Sequence, residues 1–237
     1  LGEKPLYYGW SQGALLFASE LRPFTFYPGF DRKPKRSVIG NFLRYGCIPA
    51  PDTIYESVFK LAPGNILTAS IDNPSAPPQI RAFWKMSEIA EYGIERSRSA
   101  RTDEQSVAEF EGILDSVVEE QTAVDVPLGA FLSGGLDSSL LAAVAQRQLN
   151  AQNGSKLKTF TIGFQQRGFD EAPFAAAIAK HIGTDHHELY INPADALRVV
   201  ERLPQIYDEP FADSSQIPTF LVSEWARREV TVCLAGD

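Results

Sequence analysis

The residues best equipped for chemistry stand together at positions 126–145, VPLGAFLSGGLDSSLLAAVA. Ser133, Ser138 and Ser139 bring hydroxyls, Asp137 brings a carboxylate, and Gly134 and Gly135 let the main chain approach a ligand closely. Residues 127–132 form an apolar run of the length of a buried strand, and Leu140, Leu141, Val144, Ala145 and Leu149 then recur at helical spacing. The string therefore reads as strand, glycine turn and helix start. Unpaired N–H groups at such a turn, with the positive end of the helix dipole, suit a phosphate group. Asp137 would repel a bare phosphate. It makes sense as the ligand of a divalent cation that bridges to phosphate oxygens. No GxxxxGK[ST] string is present here, so this is not a Walker loop.

A loop of this kind needs a sheet behind it, and the flanking sequence supplies one. Thr102 and Gln105 have the spacing of a capping box. The helix that follows carries Val107, Phe110, Ile113, Leu114, Val117 and Val118 on one face. Beyond the loop helix, strands are expected at 159–164, 187–191 and 229–235. Helices are expected at 171–182 (Phe174, Ile178 and Ile182 inward, Gly183 at the end), 193–206 and 217–228. Alternation of this kind means an α/β fold, a parallel sheet with helices on both faces. Ligands in such sheets sit at the carboxyl ends of strands. Leu132 and Ser133, Gly163 and Phe164, and residues 235–237 should therefore converge.

The first hundred residues read differently. Residues 6–10 and 14–18 look like a hairpin, 38–45 like a short helix, and 54–61 and 64–71 like further β segments. Residues 72–79 have loop composition, and 81–85 give a last strand. The polar stretch 95–101 reads as a linker, which divides the chain into domains 1–100 and 101–237. The net charge of −8 argues against broad nucleic-acid or membrane-surface binding. No apolar run is long enough to span a bilayer. Cys47 and Cys233 read as free buried thiols of a cytoplasmic protein. His181, His186 and His187 cluster without those thiols, so a Cys/His metal site is not expected, and at least one of His186 and His187 should be structural.

The string SGGLDSS resembles the pyrophosphate-binding loop (PP-loop) of ATP pyrophosphatases, which cleave ATP between its α and β phosphates. Taken with LGEKPLYY at 1–8, KLAPG at 60–64, GTDHHE at 183–188, DEPFADSSQIPT at 208–219 and LAGD at 234–237, the chain resembles glutamine-hydrolysing asparagine synthetases over almost its whole length. The resemblance implies an adenine nucleotide alpha hydrolase-like domain preceded by the β-rich end of an Ntn-type glutaminase domain. It implies ATP and Mg²⁺ as cofactors and aspartate and glutamine as substrates, with no nucleic acid, no membrane and room for a homodimer. ATP would be held by Leu132, Ser133, Gly134, Gly135, Asp137, Ser138, Ser139, Ile162, Gly163 and Gly236, with Asp137 on the metal. Asp208, Glu209, Asp213, Ser214 and Ser215 would face the aminoacyl substrate, and Asp237 would assist proton removal from the amine. Aspartate would attack the α phosphorus, and ammonia from glutamine would complete asparagine.

Two departures bear on this. That family's glutaminase uses an N-terminal Cys whose own amine acts as base, and Cys47, being internal, offers no such amine. The glycines and acids that follow LAGD in the family do not follow it here. The chain is therefore expected to be a middle piece, silent in catalysis and marginally stable alone. Related amide-forming enzymes with another carboxylate acceptor, such as a β-lactam synthetase-like cyclase, and a non-catalytic nucleotide-binding subunit are the alternatives.

Overall fold

The structure is a computed structural model that describes residues 2, 4–73, 76–97, 101–164 and 170–236. It divides into two compact units, Leu1–Ala100 with Arg202–Asp213, and Arg101–Glu201 with Ser214–Asp237.

In the first unit β1 (Tyr7–Ser11) and β2 (Ala14–Ala18) form the expected hairpin. The short helix is α1 (Ile39–Tyr45), with Val38 in a preceding 3₁₀ turn. Strand β3 (Val58–Lys60) pairs with the free edge of β1. Leu21, Phe24 and Val58 are buried beneath this sheet with Phe30 and Tyr55 packed against them. Strands β4 (Asn65–Thr68) and β5 (Gln79–Ala82) make a separate antiparallel pair, so the last strand begins two residues before the expected 81. Helix α2 (Met86–Ser97) is a correction: its last turn occupies the start of the supposed linker. Gly93 and the exposure of Met86, Ile89, Tyr92 and Ile94 hide the helical signal, which rests on local helix formers and the Lys85–Glu88 ion pair.

The second unit opens with α3 (Asp103–Thr122), capped reciprocally by Thr102 and Gln105 as the spacing requires. Then come β6 (Leu128–Phe131), α4 (Leu136–Gln152), β7 (Lys158–Phe164), α5 (Ala172–Ile182), β8 (Asp185–Ile191) and α6 (Pro193–Val200). The expected long helix over 193–206 is broken. Pro204 cannot donate to the helical ladder, and a separate short helix α7 (Leu203–Ile206) belongs to the first unit. Helix α8 (Gln216–Ala226) and β9 (Val232–Leu234) complete the fold. The sheet order is β8-β7-β6-β9, all parallel.

Alternation along the strands sets the two cores. Ala130, Leu132 and Leu234 pack with Val118 of α3, Ala142 and Ala145 of α4, and Ala175 and Ala179 of α5. Phe160 on the other face packs with Val222 and Ala226 of α8, and Phe131, Ile162, Trp225 and Cys233 join it. Burial there pushes the Cys233 thiol up to about 11, so it stays protonated at neutral pH. Phe174 was expected inward and is exposed, as are Val107, Phe110 and Ile113 of α3. Ala175 and Ala179, with Ile178 and Ile182 packed against the same core as expected, carry α5 onto it in place of the aromatic ring. Among the described residues no helix is long and apolar enough to cross a membrane.

Candidate functional site

A cleft of about 520 Å³ opens at the carboxyl ends of β6, β7 and β9, within the second unit. Its floor is made where β6 ends. The Leu132 N–H still donates to the Phe160 carbonyl at 2.9 Å, which extends the pairing with β7 by one residue. At Ser133 the chain leaves the sheet and turns into α4, with Gly135 as the N-cap.

Ser138 holds the turn together. Its Oγ accepts the Ser133 N–H at 3.2 Å and lies 2.9 Å from Ser133 Oγ, which in turn accepts the Gly135 N–H at 3.2 Å. Gly134 has φ +81°, and a Cβ there would stand 2.9 Å from both the Ala175 nitrogen and the Phe174 Cβ, so the turn lies tight against α5. Gly236, just past β9, is equally constrained. A Cβ on it would stand 2.7 Å from the Ser138 nitrogen. Two strand ends and one helix start are thus brought within van der Waals contact.

Of the residues expected at the nucleotide, Leu132, Ser133, Gly135, Asp137, Ser138, Ile162 and Gly236 line the cleft. Gly134 and Ser139 are not among the lining residues. The Ser139 hydroxyl is buried without a hydrogen-bond partner among the described residues, and Gly163 faces the Tyr190 ring. Asp237 lies outside the described residues. Asp208 and Glu209 belong to the first unit, where Asp208 accepts the Arg22 N–H at 2.9 Å and Glu209 pairs with Lys60. Neither these two nor Asp213, Ser214 and Ser215 are among the residues that line the cleft.

Sequence reasoning missed Glu171, Thr219, Phe160 and Val222, which also line it. Glu171 could have been suspected from its place at the N-cap of α5. Thr219 and Val222 carry no local signal.

Neither His186 nor His187 is among the residues that line the cleft. His186 Nδ1 lies 2.9 Å from Thr159 Oγ1, and burial lowers its pKa and keeps the ring neutral. His187 stacks on Phe160 with ring centroids 5.3 Å apart.

The chemistry of the donor set can be tested against a divalent cation. Asp137 is exposed in the first turn of α4, and among the described residues no group of three or more His, Cys, Asp or Glu stands together. A self-sufficient protein cage is therefore not what these residues build. One carboxylate beside a turn of N–H groups and hydroxyls at a helix start fits Mg²⁺, which takes much of its shell from phosphates and water.

The asparagine synthase family model matches residues 109–237, more than half of the chain. The chain belongs to the asparagine synthase family. The glutamine amidotransferase domain model matches residues 1–84. A Methanocaldococcus jannaschii protein named "Putative asparagine synthetase [glutamine-hydrolyzing] 2" is 34% identical over 239 residues, covering 100% of this chain and 44% of that protein. Glutamine-hydrolyzing asparagine synthetase 1 of Bacillus subtilis (strain 168) is 29% identical over 238 residues, covering 100% of this chain and 35% of that protein. This asparagine synthase family chain thus spans less than half the length of either relative. Among solved structures, NMN synthetase from Francisella tularensis aligns over 55% of this chain and 54% of that one, with 14% identity and a TM-score of 0.40. That likeness is too loose to add to the assignment.

Proposed function

We propose that the chain carries the ATP site of an amide-forming ligase that makes asparagine from aspartate, with glutamine as the source of ammonia. The observation that carries this reading is the convergence of Ser133, Asp137, Ser138 and Gly236 on one cleft in a chain of this family. Residues 1–100 would serve as the glutaminase-type part and 101–237 as the synthetase-type part.

In this reading the apolar side of the cleft, Leu132, Phe160 and Ile162, takes the adenine. The turn at Ser133, Gly135 and Ser138 takes the β and γ phosphates through N–H groups and hydroxyls. Preorganised donors of this kind stabilise the charge that develops on departing pyrophosphate. The aspartate side-chain carboxylate attacks the α phosphorus and pyrophosphate leaves, giving β-aspartyl-AMP. Ammonia then attacks the acyl carbon, loses a proton and expels AMP. Asp237 is the proposed acceptor of that proton. Asp137 would hold Mg²⁺, whose charge offsets that of the phosphates when it is bound. Asp213, Ser214 and Ser215 stay as candidates for the aminoacyl side, whereas the carboxylates of Asp208 and Glu209 are already engaged.

The test is Asp137→Ala in the full-length protein. Aspartate-dependent pyrophosphate release should fall roughly a thousandfold, equivalent to about 4 kcal/mol of transition-state stabilisation, with the fold intact by circular dichroism. A rate near wild type would remove Asp137 from the site.

A further inference from the structure

Residues 202–213 lie within the stretch matched by the asparagine synthase family, yet they belong to the first unit. Their ties there are specific. Asp208 accepts the Arg22 N–H at 2.9 Å, and the Arg22 guanidinium donates to the Gln205 carbonyl at 3.1 Å. The Ala212 N–H donates to the Gly46 carbonyl at 2.7 Å. Glu209 pairs with the Lys60 ammonium and also accepts the Ile54 N–H at 3.2 Å. Lys60 donates in addition to the Ile48 carbonyl.

The side chains of Lys60 and Glu209 are only 18% and 14% exposed. Each is also fixed by a backbone group, so the pair has little freedom to slide. The cost of desolvating an ion pair of this burial offsets much of its attraction, so its net stabilisation is small while both partners are present. Directly after this strap the chain passes from Asp213 to Ser214 and into α8, which supplies Pro218, Thr219 and Val222 to the cleft.

We propose that Lys60 and Glu209 are positioning residues for the nucleotide cleft: their ion pair fixes residues 202–213, from which the chain continues directly into α8, and so tunes the affinity for ATP. The inference rests on the reading of the cleft as an ATP site. A purely structural pair would change the melting temperature and leave ATP affinity alone.

The experiment is calorimetric titration of the full-length protein with Mg-ATP, below the melting temperature of every variant. The set is wild type, Lys60→Met, Lys60→Arg and Glu209→Gln. The ATP dissociation constant should rise about tenfold in Lys60→Met and Glu209→Gln, a loss readily read by titration. Lys60→Arg, which keeps the charge, should bind near the wild-type level. Folded Lys60→Met or Glu209→Gln with wild-type affinity overturns the proposal whatever the melting temperature. So does a Lys60→Arg as weak as Lys60→Met. If Lys60→Met does not fold, Glu209→Gln, which keeps size and a neutral hydrogen bond, decides alone. A wild-type protein that binds no ATP overturns the nucleotide reading and this role with it. Tight wild-type binding that the variants share overturns only the role of the pair.

Discussion

Gly236 shows how finely the cleft depends on a single residue. The atoms that its missing Cβ would meet, the Ser138 nitrogen and Cα at 2.7 and 2.8 Å, are backbone and cannot swing aside. Gly236→Ala should therefore push the end of β9 off the start of α4, loosening the turn that Ser138 ties together. The expected cost is about 1–3 kcal/mol of stability, typical of overpacking, together with a tenfold or greater loss of Mg-ATP affinity. Urea unfolding and calorimetry read the two quantities separately, and an alanine variant unchanged in both would show that the approach is slack. The sequence made the loop legible because strand, glycines and helix start are contiguous, and the local pattern contains the whole motif. Thr219 was not legible as a cleft residue, because only the assembled fold brings it to the same cleft as Ser133.

At the scale of elements, the buried tie of the strap makes a pH-dependent prediction. Burial raises the Glu209 carboxyl above its ordinary value, while Lys60 and the Ile54 N–H pull it back down. The nearby Tyr7 hydroxyl, itself half-buried, is pushed up to about 12 by burial and by Glu209 and Asp208. In Lys60→Met the downward pull of the ammonium is gone, and the carboxyl rises further. A carboxyl raised in the folded state binds its proton more tightly folded than unfolded, so stability increases as pH falls through the raised value. The variant should lose about 3 kcal/mol at pH 7.5, and the deficit should shrink toward pH 5. Urea titrations at both pH values test this, and a deficit independent of pH would mean that Glu209 is not the group left uncompensated. Elements with periodic apolar faces or caps, such as α3, were readable. Helix α2, with its exposed apolar residues and an internal Gly93, was not, and neither was the break that Pro204 imposes between α6 and α7. The ties of residues 202–213 to Arg22, Gly46, Ile54 and Lys60 join positions far apart in the chain, and no local pattern announces them.

At the scale of the molecule, the alternation of strands and helices was enough to give the parallel sheet of the second unit, because each strand feeds the next through a helix. The order of the strands was not readable, and it has its own consequence. Strand β6 lies inside the sheet, between β7 and β9, and its partner residues Leu128 and Val232 are about a hundred positions apart. The β6–β7 edge can form early in refolding. The β9 edge, with Ala235 and Gly236, must wait for the closure of a long loop, whose entropy is lost before any contact repays it. A ligand whose site includes both edges then has nothing complete to grip in the rate-limiting barrier. Mg-ATP should leave the refolding rate nearly unchanged and slow unfolding by most of its stabilisation, tenfold for each factor of ten in concentration above the dissociation constant. Stopped-flow traces with and without nucleotide distinguish this from a cleft assembled early, for which ATP would hasten refolding instead. The last strand to pair would then act as the latch that sets the lifetime of the native state, rather than the speed at which it is reached.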